Sequence, residues 1–155
     1  MKKLSTLVVA PLIALGLMAG AGTAHAAGTT GTGSVTASFT SPVTFSGTAS
    51  PKMTCSTSAR AHTYTVVIDK VGVDGGKVAG SATIRNYTGP GDYTATVTLA
   101  ASKGKTAVAG AVKNVPVTIT STGGTFSFSK SASGTYVPKL QGKLVTGSIA
   151  WTCPV

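Results

Sequence analysis

The chain contains no glutamate, and its only acidic side chains are Asp69, Asp74 and Asp92, against 13 lysines and arginines. So few carboxylates argue against the acid and base pair of a glycoside hydrolase, because Asp69 and Asp74 flank one turn where water keeps both ionised. Histidine is equally scarce: after His25 there is only His62. With the two cysteines engaged in a disulfide, one imidazole and three aspartates do not make a zinc ligand set, so no metal and no cofactor is expected. Serine is abundant, but no Gly-x-Ser-x-Gly pattern positions one as a nucleophile, and no catalytic residue is assigned. Neither Asp74-Gly75-Gly76 nor Gly123-Gly124 has the Gly-Lys-Ser/Thr ending of a phosphate loop, and both read as hairpin turns.

Long apolar runs are missing except at the start. Met1-Lys2-Lys3 precedes an apolar stretch from Leu7 to Met18, and small residues then lead to Ala24-His25-Ala26. This order predicts a secretory signal peptide over residues 1–26, cut after Ala26, since the stretch is shorter than the roughly 20 residues that span a bilayer. No transmembrane segment is expected after the cut, and the product is secreted, either released or held at the cell wall. Residues 27–34 are a Gly/Thr tract with little to bury and read as a flexible leader. Residues 35–155 are then one domain of modest core size.

Helical periodicity is nearly absent beyond residue 26, while Thr, Val, Ser, Ala and Gly dominate and turn residues recur every ten or so positions. Such spacing belongs to a sandwich or a barrel. Tyr64, Val66 and Ile68 alternate with Thr63, Thr65 and Val67, and Tyr93, Ala95, Val97 and Leu99 alternate with Thr94, Thr96 and Thr98, which gives two half-buried strands. Further strands are expected at Lys77–Asn86 and Val115–Thr120, with Thr88-Gly89-Pro90-Gly91-Asp92 as a strong break and Lys103-Gly104-Lys105 as a turn. Phe126 and Phe128 share one inward face. The predicted fold is all-β: a single antiparallel β-sandwich, immunoglobulin-like or another Greek key, with one disulfide.

Cys55 and Cys153 are the only cysteines. In an exported chain they have one intramolecular pairing open to them, the alternatives being a bridge between two molecules or two free thiols. Met53 shares its parity with Cys55, and Val145, Ile149 and Trp151 share theirs with Cys153, so both cysteines aim at the interior. Trp151 is expected to pack in the core beside the bond. Tyr87 and Tyr136, next to turns, are expected to be exposed, with no second aromatic positioned to form a stacking platform.

The early Met53-Thr54-Cys55, the stretch Phe126-Ser127-Phe128-Ser129-Lys130-Ser131-Ala132-Ser133-Gly134 and the terminal Gly147-Ser148-Ile149-Ala150-Trp151-Thr152-Cys153 resemble the mycobacterial secreted lipoprotein-antigen family. The resemblance implies a small β-sandwich whose early strand cysteine is joined to one near the C-terminus. It supplies no catalytic residues. That family carries a lipidated cysteine after the signal peptide, whereas Ala27 stands in that place here, so the resemblance does not extend to a lipid tether.

Without the first 26 residues the net charge is about +8 by ordinary pKa values. This favours anionic partners, such as a wall polymer or a lipid surface, or a protein; no specific nucleic-acid motif is present. The plainer reading is that scattered lysines keep a Thr/Ser-rich surface soluble. The primary expectation is a secreted, non-enzymatic binding or structural module. Its candidate ligand-binding residues, all near turns, are Lys103, Lys105, Lys139, Lys143 and Tyr136. The alternative is an inhibitor of an extracellular protease that inserts the loop Tyr136-Val137-Pro138-Lys139-Leu140 into a cleft.

Overall fold

The structure is a computed structural model that describes residues 28–131 and 144–155. Ten strands follow one another: β1 Thr29–Thr32, β2 Ser34–Ser41, β3 Phe45–Ala49, β4 Lys52–Ser58, β5 Thr63–Val73, β6 Gly76–Arg85, β7 Gly91–Lys103, β8 Thr106–Ile119, β9 Gly123–Ser131 and β10 Leu144–Thr152. All belong to one antiparallel sheet in the order β1-β4-β5-β6-β7-β8-β9-β10-β2-β3. The expected pair of facing sheets is therefore replaced by a single sheet curled as a half-barrel. Turn spacing cannot separate these architectures, because both need a chain reversal after each short strand.

The two ends of the order meet in a shared ladder. Gly33 alone separates β1 from β2, and Ser50-Pro51 separates β3 from β4. One register runs through both pairs, from Thr29 opposite Cys55, through Thr32 opposite Lys52 and Val35 opposite Ala49, to Phe39 opposite Phe45. The Gly33 N–H donates to the Pro51 carbonyl at 3.1 Å and carries the ladder across the join. Thr29–Thr32, expected as part of a flexible leader, is thus a strand on β4. A tract with little to bury is ordered here by backbone pairing and by a Thr30–Thr54 hydroxyl contact of 2.9 Å.

The alternating strands behave as their periodicity requires. Tyr64, Val66, Ile68, Ala95 and Val97 are buried, and their Thr neighbours face outward or lie half-covered. The interior also takes Met53, Cys55, Phe126, Ile149 and Trp151, with Phe128 half-buried against it. Phe39 stacks on Phe45 with ring centres 4.8 Å apart and meets Phe128 edge-on at 5.7 Å. Two turns show the dihedral logic of tight hairpins: Asp74 and Gly75 both have positive φ, and Gly104 has φ of 58°.

Gly123 and Gly124 depart from their expected turn role. They open β9, opposite Thr152 and Trp151, while the chain reverses at Thr120-Ser121-Thr122. Their value is the missing side chain: a Cβ on Gly124 would lie 2.6 Å from Trp151 Cζ2 and 2.8 Å from the Thr118 carbonyl oxygen. A Cβ on Gly110, by contrast, would meet nothing within 4 Å. Gly124→Ala is expected to destabilise the fold by about 1–3 kcal/mol through overpacking, with Gly110→Ala close to neutral. Urea unfolding of the two variants measures the difference.

Candidate functional site

The sheet has two chemically distinct ends. At one, Cys55 and Cys153 form the disulfide, with Cα atoms 5.9 Å apart. Trp151 is buried beside it, and its indole N–H donates to the Tyr64 hydroxyl at 3.1 Å. The Tyr64 oxygen lies 3.2 Å from Cys153 Sγ. A disulfide sulfur carries no hydrogen, so Tyr64 is the donor there. The aromatic path continues outward from Tyr64 to Tyr87 at 5.2 Å and from Tyr87 to Tyr93 at 5.6 Å. The Tyr93 hydroxyl donates to the Gly89 carbonyl at 2.7 Å and pins the turn.

Tyr87, expected to be exposed with no second aromatic placed to build a stacking platform, is instead half-buried between two tyrosines. The sequence hides this because the three rings come from β5, the turn after β6, and β7. Burial raises the Tyr64 pKa above the usual 10.0, opposed by the Trp151 hydrogen bond and reinforced by Tyr87. Tyr87 is also raised, by burial and then by Tyr93. A cavity of about 230 Å³ opens at this end, lined by Thr29, Tyr64, Thr120, Thr122, the disulfide and the C-terminal residues. Its lining offers hydroxyls and one phenol, with no lysine, arginine, histidine or aspartate side chain.

The opposite end carries a group of lysines, whereas Arg60 and Arg85 lie at the disulfide end. The β5–β6 and β7–β8 turns lie side by side, because Gly76 pairs with Lys103. Lys103 and Lys105 flank their turn as expected, and both are exposed. Lys103 Nζ is 3.7 Å from Asp74 Oδ2, a solvent-exposed pair of small energetic weight. Lys77, opposite Ser102, and Lys70, at the irregularity in β5, add two more basic groups near the same end. Neither was singled out from the sequence, because the β6–β7 pairing that sets Lys77 one register step from Lys103 joins two separate hairpins. Lys139, Lys143 and Tyr136, with the whole Tyr136-Val137-Pro138-Lys139-Leu140 loop, lie outside the described residues. The flanking strand ends Ser131 and Leu144 pair with each other.

Between the ends, the outer wall is hydroxylic. Ser127, Ser148, Ser38 and Ser46 form one cross-strand row over β9, β10, β2 and β3. A shallow groove of about 450 Å³ lies over this region, lined by Ser38, Thr40, Ser127, Ser129, Thr146 and Ser148 with Phe128 and Gly147. Among the described residues no three His, Cys, Asp or Glu side chains come together. His62 occupies an exposed turn with φ of 47°, and its carbonyl accepts the Tyr87 N–H at 2.8 Å. Asp92 accepts a 2.6 Å hydrogen bond from the Thr118 hydroxyl. Comparison with protein-family models, curated proteins and solved structures finds no match to this chain.

Two measurements check the disulfide end. Cys55 and Cys153 are 98 residues apart, and a loop of that length has a chain-entropy stabilisation of about 4–5 kcal/mol. The double variant Cys55→Ser/Cys153→Ser is expected to lose several kcal/mol, about that figure at most, by denaturant titration. The raised phenol gives the sign of the alkaline response: below the unfolded value of 10.0 the stabilisation is complete, and it falls as pH rises toward the folded value. Melting temperature followed from pH 8 to 12 should therefore drop less steeply in Tyr64→Phe than in the parent chain.

Proposed function

We propose that the chain is an exported, non-enzymatic binding module that holds an anionic partner through the basic turn end. One observation carries this reading: among the described residues a single ion pair, Lys103–Asp74, engages a basic side chain, and the remaining lysines and both arginines have no ion-pair partner. A surface built for internal charge balance would pair them. An unbalanced one attracts counter-charge over distances that salt shortens.

Export is supported by the leader pattern and by the disulfide, which persists in an oxidising compartment. The non-enzymatic reading is supported by the scatter of Asp69, Asp74, Asp92 and His62 over separate turns and exposed strand positions. Lys77, Lys103 and Lys105 form the described part of the site, with Lys70 behind them; Lys139 and Lys143 extend the same proposal along the sequence. An anionic wall polymer is the first partner class to try.

Retention on purified cell envelope or on a dextran sulfate column should fall steeply with added salt. Lys77→Glu/Lys105→Glu should elute at clearly lower salt than the parent protein. Equal elution of the two, or retention indifferent to salt, rejects the electrostatic site.

A further inference from the structure

β7 and β8 are the longest strands and pair along almost their whole length. On its other side β8 meets β9 only through Val117, Thr118 and Ile119. That ladder stops next to Pro116, which has no N–H to give. Beyond the irregularity at Lys113-Asn114, where Asn114 has φ of 59°, the β8 edge from Thr106 to Val112 pairs with no strand among the described residues.

The register assigns the free groups. Lys103 and Thr106 close a two-residue turn and form a hydrogen-bonded pair, so Val108, Gly110 and Val112 also bond to β7. Ala107, Ala109 and Ala111 then direct N–H and C=O away from β7, and all three are exposed. Their methyl groups are too small to shield the edge. On the inner side of the divergence Leu99, Val112 and Phe128 are only half-buried, so alternate side chains of an added strand would find apolar surface. The two terminal edges of the sheet are less open: a Cβ on Gly31 of β1 would lie 3.1 Å from Pro154, and one on Gly47 of β3 would lie 3.2 Å from Val73.

Charge selects the occupant. Lys105 and Lys113 bracket the free edge, Lys130 lies on the facing strand β9, and neither β8 nor β9 carries an aspartate. Two copies of β8 paired antiparallel about Ala109 would set Lys105 against Lys113 twice, a repulsive register of the kind that blunts edge-to-edge aggregation. An acidic strand turns the same two positions into attractions. We propose that the β8 edge Thr106–Val112 accepts an extended, acid-flanked segment of a partner protein as an added strand. The proposal rests on the reading of the chain as a binding module and names a partner class and a site for it.

The test uses the processed chain and a labelled peptide, Glu-Val-Thr-Val-Thr-Val-Thr-Val-Glu, whose two acids are spaced to meet Lys105 and Lys113, with a Lys-flanked peptide of the same core as control. Fluorescence anisotropy is expected to show binding of the acidic peptide and none of the basic one. Lys105→Gln/Lys113→Gln should weaken it by about ten-fold. Ala109→Pro, which removes an outward N–H that β7 does not use, should abolish it while far-ultraviolet circular dichroism stays that of the parent. Hydrogen exchange at Ala107, Ala109 and Ala111 should be fast in the free protein and slowed by the peptide. Equal binding of the two peptides, undiminished binding to Ala109→Pro, or slow exchange at these amides in the free chain overturns the proposal. Salt-sensitive retention on dextran sulfate without peptide binding rejects this strand site and leaves the polyanion reading standing.

Discussion

The bond between Cys55 and Cys153 ties β4 to the end of β10, and the packing at one end of the sheet depends on that link. Tyr64 donates to Cys153 and accepts from Trp151, so one phenol joins the covalent link to the largest side chain of the interior. Tyr87 and Tyr93 then lean on Tyr64 in turn. None of the buried residues described is charged, and Tyr64 is the one phenol among them. The interior is held by apolar packing and this short hydrogen-bonded chain, and the ionised groups are left on the surface.

The outer wall meets water mainly through hydroxyls. Thr36 bonds Thr48 at 2.8 Å and Thr30 bonds Thr54 at 2.9 Å, so neighbouring strands satisfy each other's side chains across the ladder. Such a wall does not depend on lysine for solubility along β1, β2, β3 and β10, none of which carries a lysine or an arginine. The cations cluster instead on the long hairpins and their turns. That division lets the same sheet be closed and neutral on one side, and open and basic on the other.

Strand character and facing were legible in the sequence wherever Thr alternates with larger residues, as at Tyr64-Thr65-Val66 and Thr94-Ala95-Thr96-Val97. The inward aim of Cys55 and Cys153 followed from the same period of two. Where composition is uniform the signal fails. Thr106 to Asn114 alternates small residues with valine too weakly to mark a strand, yet β7 holds it in one. Thr29–Thr32 has no apolar face, and only its partner β4 makes it a strand. Gly123-Gly124 has the composition of a turn, and only the bulk of Trp151 on the neighbouring strand explains two bare backbones there. In each case the deciding interaction lies across the sheet, where local patterning has no reach. Of the candidate binding residues, Lys103 and Lys105 were found by their turn, whereas Lys70 and Lys77 reach the same end through pairings that spacing alone does not reveal.

Strand β10 follows the other nine described strands in the chain, yet it sits between β9 and β2, with Trp151 opposite Val35 and Gly124. The hairpins from β5 to β8 need only near neighbours and can assemble as soon as they appear. The seam cannot. A chain that emerges N-terminus first must keep β2 waiting, without its β10 partner, until Leu144–Thr152 has arrived, and Cys55 waits for Cys153. Losing residues 144–153 would remove a central wall strand and one half of the disulfide together, so the presence of this stretch is a condition of closure.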